Sequence, residues 1–334
     1  MSSPDEQLSA GLKEAYVALH LAGGHIALPI LILTAVFAKS VHAHPTLVNL
    51  WFSWVVYSVA SSFMLYGAGH TSDERALCQA SQTLIHSTGP MTTTAGLMVV
   101  YQIWHTIEEP SQMKRLPFRS KWSLGTKVSL AIPYIVLVAF SLTYSLYGTK
   151  NPANVILSQT GLYCSLDNSS LFMKYGATSY CAFMLASILV IEAAILVRFG
   201  RMWSQISRIF PLASRNTSFF LIFRVAVFTL YSVVAFSVAA LLAPQHDPSG
   251  WPYLVQASVP LAAAVVFGTQ SDILNAWLFW RKEPSRPATP RVHVDLDTVS
   301  VGSSKHMWKR DSETIETSTP SLSPVASLPY TEIV

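Results

Sequence analysis

The sequence predicts an all-α integral membrane protein: a bundle of seven transmembrane helices, N-terminus outside and C-terminus inside, followed by a disordered cytoplasmic tail. Three observations carry that prediction. Only 12% of the residues are charged, about half the usual share of a soluble chain, while 51% are apolar and mean hydropathy is +0.38. Fourteen of the forty charged residues fall within 281–334, which leaves too few to coat a water-soluble surface over residues 1–280. The rest of the chain holds seven apolar runs, each near the roughly 20 residues that a bilayer-crossing helix needs. An ordinary cytosolic enzyme is excluded, and so is disorder over the apolar stretch. The net charge of +4 is small and its basic residues fall between the runs, so nothing points to nucleic acid.

Residues 1–15 are polar and hold three acids, Asp5, Glu6 and Glu14, in place of the basic leader of a cleaved signal. They read as an extracellular N-terminal segment, with the first crossing, about 16–38, acting as its own targeting signal. The second crossing spans about 47–68 and the third about 76–104. The third is the least apolar, because Gln79, Ser81, Gln82, Thr83, His86, Ser87, Thr88 and Thr92 to Thr94 would all be costly against lipid. It therefore belongs at the centre of the bundle. The remaining crossings span about 127–148, 174–199, 217–243 and 252–280, and none shows the strict alternation of a barrel strand. Residues 281–334 are rich in Pro, Ser and Thr and read as a disordered tail. Ser303, Ser304, Ser312, Thr314, Thr317, Ser318 and Thr319 are its candidate phosphorylation sites.

Orientation follows from Lys and Arg. With the N-terminus outside, thirteen basic residues lie on the inner side near the crossings and four, Lys13, Arg75, Lys150 and Lys174, on the outer side. Trp104, Trp122, Trp203, Trp277 and Trp280 then fall at inner ends and Trp251 at an outer one. The expected location is the plasma membrane. On this topology Cys78 opens the third crossing and Cys164 lies in the second outer loop, both facing an oxidising compartment, so a disulfide is expected between them. Cys181 lies inside the fifth crossing. Asn168 begins an outer Asn-Ser-Ser sequon and is a candidate glycosylation site.

Seven crossings, a Cys78–Cys164 pair, basic inner loops and a Ser/Thr-rich tail resemble a G-protein-coupled receptor. The stretches Leu77-Cys78-Gln79-Ala80 through Pro90, and Phe267-Gly268-Thr269-Gln270-Ser271-Asp272-Ile273-Leu274, are similar to the receptor-like seven-helix proteins of fungi related in outline to the cyclic-AMP-receptor-like group. The resemblance covers about residues 10–283. It implies a receptor for an unknown extracellular ligand, coupled to a heterotrimeric G protein, with no enzymatic activity and no cofactor. The rhodopsin-like hallmarks are missing: the third crossing ends Trp104-His105-Thr106, and the seventh reads Ser271-Asp272-Ile273-Leu274-Asn275 where Asn-Pro-x-x-Tyr would stand.

Ionisable residues inside crossings are the leads to function. Glu192, Arg224 and Asp272 fall at similar depth near the inner ends of three consecutive crossings, so an inner polar lock is expected, with Arg224 bonded to Asp272 and reaching Glu192. Cys78, Gln79, Gln82, Thr83 and His86 recur at helical spacing, and Pro90 follows. Gln79, Gln82, Thr83 and His86 are therefore candidates for lining a ligand cavity, against helix-to-helix hydrogen bonding as the plainer reading.

A retinal protein needs a Schiff-base lysine inside the seventh crossing, and 252–280 contains none. A proton-coupled small-solute transporter is the alternative, with Glu192, Arg224 and Asp272 as a relay; the odd crossing number and the lack of an inverted repeat oppose it. His20, His25 and His86 lack the close spacing of a zinc site, so no metal is expected.

Overall fold

Helix starts well before the first apolar run. The computed structural model describes residues 4–38, 41, 43–64, 74–108, 124–157, 163–166, 170–206, 216–242 and 251–278. Helix α1 (Pro4–His20) takes in most of the polar segment, since Gly11 is the one strong opponent of helix between Pro4 and Val17. It runs without interruption into a π-helical segment (Leu21–Ala27) and then α2 (Leu28–Phe37). Gly23 and Gly24 explain the π segment's packing. A Cβ on Gly23 would lie 2.5 Å from the Leu261 backbone nitrogen, and one on Gly24 would collide with the Ser58 side chain. Two neighbouring helices thus approach closer here than any side chain permits.

Helix α3 (Pro45–Ser61) begins with Pro at a position that needs no N–H, and His44 caps it, its Nδ1 accepting from the Thr46 backbone N–H at 3.3 Å. Helix α4 (Glu74–Glu108) covers the run expected as the third crossing and is longer than expected at both ends. It passes through Pro90 without breaking, and threonine hydroxyls saturate the carbonyls around that point. Thr92 donates to the Gly89 carbonyl at 2.8 Å, and Thr94 to that of Pro90 at 2.7 Å. Helix α5 (Leu124–Lys150) follows, then a two-stranded antiparallel hairpin, β1 (Val155–Leu157) and β2 (Cys164–Leu166), with Leu157 opposite Cys164. Helices α6 (Leu171–Ile206) and α7 (Asn216–Leu242) complete the long rods.

The seventh run is not the continuous helix expected over 252–280. It consists of α8 (Trp251–Ala257), α9 (Val259–Gly268) and α10 (Ser271–Trp277). Pro260 has no N–H to offer the Gln256 carbonyl, and the Ser258 hydroxyl donates instead to Val255. Past Gly268 the backbone of Gln270 turns extended, with ψ 134°, and the chain restarts as α10. Trp277 then donates its indole N–H to Thr34 of α2 at 2.8 Å.

Five of these stretches are long and apolar enough to cross a membrane: Gly11–Phe37, Leu124–Lys150, Leu171–Arg198, Phe220–Ala239 and Trp251–Gly268. The two others are α3, which is 17 residues long, and α4, which is long but polar. Helix α4 packs against α3, α5 and α6, and no residue from Leu77 to Val100 is exposed. Ser81, Gln82, Ser87 and Thr88 are completely buried. A polar helix wrapped in protein on all sides meets the demand its composition makes. Away from the bundle axis, Phe37, Ile135, Phe183, Val190 and Val234 stand exposed, a pattern suited to lipid and not to water. The apolar core centres on Trp51, Phe228 and Phe267, whose rings lie 5.6–5.9 Å apart where they meet.

Asn168, the tail 281–334 and its hydroxyl residues from Ser303 to Thr319 lie outside the described residues, as do the segments 109–123 and 207–215 between helices.

Candidate functional site

Cys78, one turn into α4, is bonded to Cys164 at the start of β2, with Cα atoms 5.3 Å apart. The bond fixes the hairpin against α4 at one end of the bundle. Below it lies a cavity of about 310 Å³, at the lower edge of the roughly 300–1,000 Å³ usual for small-molecule sites.

The cavity is graded from polar to apolar. Near the hairpin, Tyr163 and Ser165 join Tyr16 of α1, Tyr57 and Ser61 of α3, and Tyr253 and Gln256 of α8. These groups are knitted together: Ser61 hydrogen-bonds the side chains of Tyr16 and Tyr57, and Gln256 bonds Tyr57. The Tyr163 and Tyr253 rings meet edge to face at 6.1 Å. In mid-cavity stand Trp54, His86, Gly89, Thr93 and Cys181, where Thr93 lies 3.9 Å from the Cys181 sulfur. The far end is apolar, walled by Val99, Val100, Leu185, Ile188, Val225 and Phe228. Thr229 also lines it, and its hydroxyl donates to the Glu192 carboxylate at 2.8 Å. The described lining residues include no Asp, Glu, Lys or Arg.

Of the four residues expected to line a cavity, His86 does so, its ring stacked on Tyr144 at 4.7 Å. Gln79, Gln82 and Thr83 are not among the lining residues. Gln79 donates to the Ser145 carbonyl of α5 at 3.4 Å, and Gln82 packs beside Gly148 of the same helix. Helical spacing groups these polar residues on α4, and part of that face is turned to α5. The tyrosines, Trp54 and Gln256 were missed. A usable signal existed for three of them: Tyr16 and Tyr253 stand at the outer ends of the runs over 16–38 and 252–280, and Tyr163 is next to Cys164.

The direct Arg224–Asp272 bond expected from depth is not formed. Arg224 donates instead to the Thr269 backbone carbonyl at 2.9 Å, while Asp272 accepts from Ser271 at 3.4 Å. The reason is the break before α10, which strips the Thr269 carbonyl of a helical donor and so offers Arg224 a strong neutral acceptor. Glu192 belongs to neither residue; it is buried, and its hydrogen bond is to Thr229. No group of three His, Cys, Asp or Glu able to hold a metal occurs among the described residues.

No family model matches the chain, and no curated protein does. Among solved structures it is similar to squid rhodopsin, at 14% identity over 84% of this chain and 87% of that one, with a TM-score of 0.53. At such low identity the likeness speaks for the fold: a rhodopsin-like bundle of helices, built for a membrane.

Proposed function

We propose that this chain is a seven-crossing membrane receptor, N-terminus outside and C-terminus inside, that binds an extracellular ligand and signals through a heterotrimeric G protein. The observation that carries the reading is the cavity: an aromatic-collared site in a rhodopsin-like bundle, placed beneath a hairpin that a disulfide fixes at its mouth. In this reading α3 and α4 are the two further crossings, admitted to the membrane because the five apolar stretches surround their polar surfaces. The basic residues of 105–127 and 198–215 face the cytoplasm and form the coupling surface. The receptor belongs at the plasma membrane and is not an enzyme.

Ligand binding would favour one of two packings of the bundle, and the broken seventh run is the element best suited to repack. Arg224 ties α7 to the break through Thr269 and is positioned to feel such a change. The decisive experiment is co-purification with G-protein α subunits, comparing the full chain with a variant in which Lys114, Arg115, Arg119, Lys121 and Lys127 are neutralised. Retention of α subunits by the full chain and loss by the variant is expected; equal recovery, or none, refutes coupling.

One observation favours a proton-coupled transporter instead. Glu192 is a carboxylate buried in the bundle with a neutral partner. Proton-driven uptake abolished by Glu192→Gln would establish that alternative.

A further inference from the structure

The seventh run carries a break between α9 and α10 that its own residues do not require. No proline stands between Pro260 and Pro284, and Gly268 is the one strong opponent of helix from Leu261 to Trp277. The backbone leaves the helical path at very few torsions. Thr269 has φ −75° and ψ 6°, and Gln270 has φ −64° and ψ 134°, where helix needs about −63° and −42°. Both φ values are already near helical, so rotation about the Gln270 ψ bond accounts for most of the turn. Turning it back would bring the Ile273 N–H to the Thr269 carbonyl, the bond that a continuous helix makes.

The restraints on the break come from other helices. Arg224 of α7 donates to the Thr269 carbonyl at 2.9 Å. At the far end of α10 the Trp277 indole donates to Thr34 of α2 at 2.8 Å. Its ring lies over Gly268, 3.4 Å from where a Cβ would stand. Ile273, between these two tethers in sequence, is fully buried. Helices α7 and α2 thus each hold one end of the segment out of line with α9.

We propose that the seventh run is a two-state hinge, alternating between this broken form and a continuous helix in which the Thr269 carbonyl exchanges Arg224 for the Ile273 N–H. Straightening carries Trp277 away from Thr34, so both tethers are released in one movement. Val259, at the other end of α9, lines the cavity, so the hinge and the cavity share one helix. This gives the repacking of the seventh run a defined second state, and it stands whether or not the chain couples to a G protein.

The test uses the purified full chain in lipid nanodiscs, with Cys181→Ala and nitroxide labels on Phe37→Cys and Asn275→Cys, both exposed positions. Cys78 and Cys164 are bonded to each other and take no label. Pulsed dipolar spectroscopy reads the distance between α2 and α10. The straightened run should give a second population displaced by roughly 5–10 Å, the reach of α10 from its hinge. Arg224→Gln and Thr34→Val should each raise that population at least about threefold over the native chain. Ser271→Pro should remove it from both variants, because proline there holds Gln270 extended and suits the first residue of α10. If Arg224→Gln does not fold, Thr34→Val with and without Ser271→Pro decides alone. A second population that rises in neither folded variant, rises in only one of two, or persists with Ser271→Pro overturns the hinge. The readout uses no G protein, so its failure leaves the receptor reading standing, and failed co-purification leaves the hinge standing.

Discussion

A single hydroxyl separates the cavity from a buried carboxylate. Thr229 gives Glu192 its hydrogen bond from a neighbouring helix, and both side chains are over nine-tenths buried. Thr229→Val preserves the shape and removes the donor, so it should cost about 1–3 kcal/mol in thermal unfolding of the purified protein. Asp272, by contrast, is only partly buried and bonds its neighbour Ser271. Asp272→Asn should therefore shift stability by no more than about 0.5 kcal/mol, the outcome opposite to that of a charge lock. His44 offers a pH-dependent residue at the start of α3. Its Nδ1 lies 2.8 Å from the Thr46 hydroxyl and accepts from the Thr46 backbone, and burial holds the imidazole pKa below its ordinary value. The unfolded chain then takes up a proton more readily than the folded one. The cap's contribution is full above about pH 6.5 and is lost as pH falls through and below that value. His44→Asn keeps an acceptor without the titration, so its stability should lose that part of the pH dependence.

At the scale of elements, helix α4 and the first run carry the clearest tests. Gly24→Ala collides with the Ser58 side chain, whereas Gly23→Ala collides with Leu261 backbone. Ser58→Gly should restore much of the expression and melting temperature lost in Gly24→Ala. No substitution at Leu261 should rescue Gly23→Ala, because its side chain is not the obstacle. How far the elements could be read from residues follows the same physics. Apolar length located the rods, and polar composition placed α4 at the centre, because both reflect a single helix meeting lipid or protein. The helix over 4–15 was missed because polar residues with good helical propensity give no hydropathy signal. The break after Gly268 was missed for a different reason: Phe267-Gly268-Thr269-Gln270 is compatible with helix locally, and it ends there through packing. Helical spacing showed which polar residues share a face of α4 but not which helix that face meets. That is why Gln79 and Gln82 were assigned to the cavity and lie against α5.

For the molecule as a whole, the Cys78–Cys164 bond closes a loop with a sequence separation of 86 residues and holds the cavity's hairpin in place. Removing it should cost about 2–5 kcal/mol. Cys78→Ser, Cys164→Ser and the double variant should show the same lowered melting temperature, and reductant should bring the native chain to that value; additive effects would mean that the cysteines act separately. The π-helical segment has an equally global reach. Each π turn advances by i→i+5 pairing, so Leu21–Ala27 sets the angular phase at which α2 emerges from α1. Leu28 and Leu31 are fully buried while Ile30 and Leu33 are about half exposed, an arrangement that depends on that phase. Deleting one residue within 21–27 would let the segment close as regular α-helix with the faces after it roughly in phase, whereas inserting one would rotate everything after it by about 100°. In the insertion variant Leu28 and Leu31 would swing off the core, and the far-ultraviolet signal of helix would survive the loss of cooperative unfolding. Substitutions at Ile30 or Leu33, and the deletion, should be tolerated where the insertion is not, so this stretch of chain is free in its letters and can shorten by one residue but not lengthen.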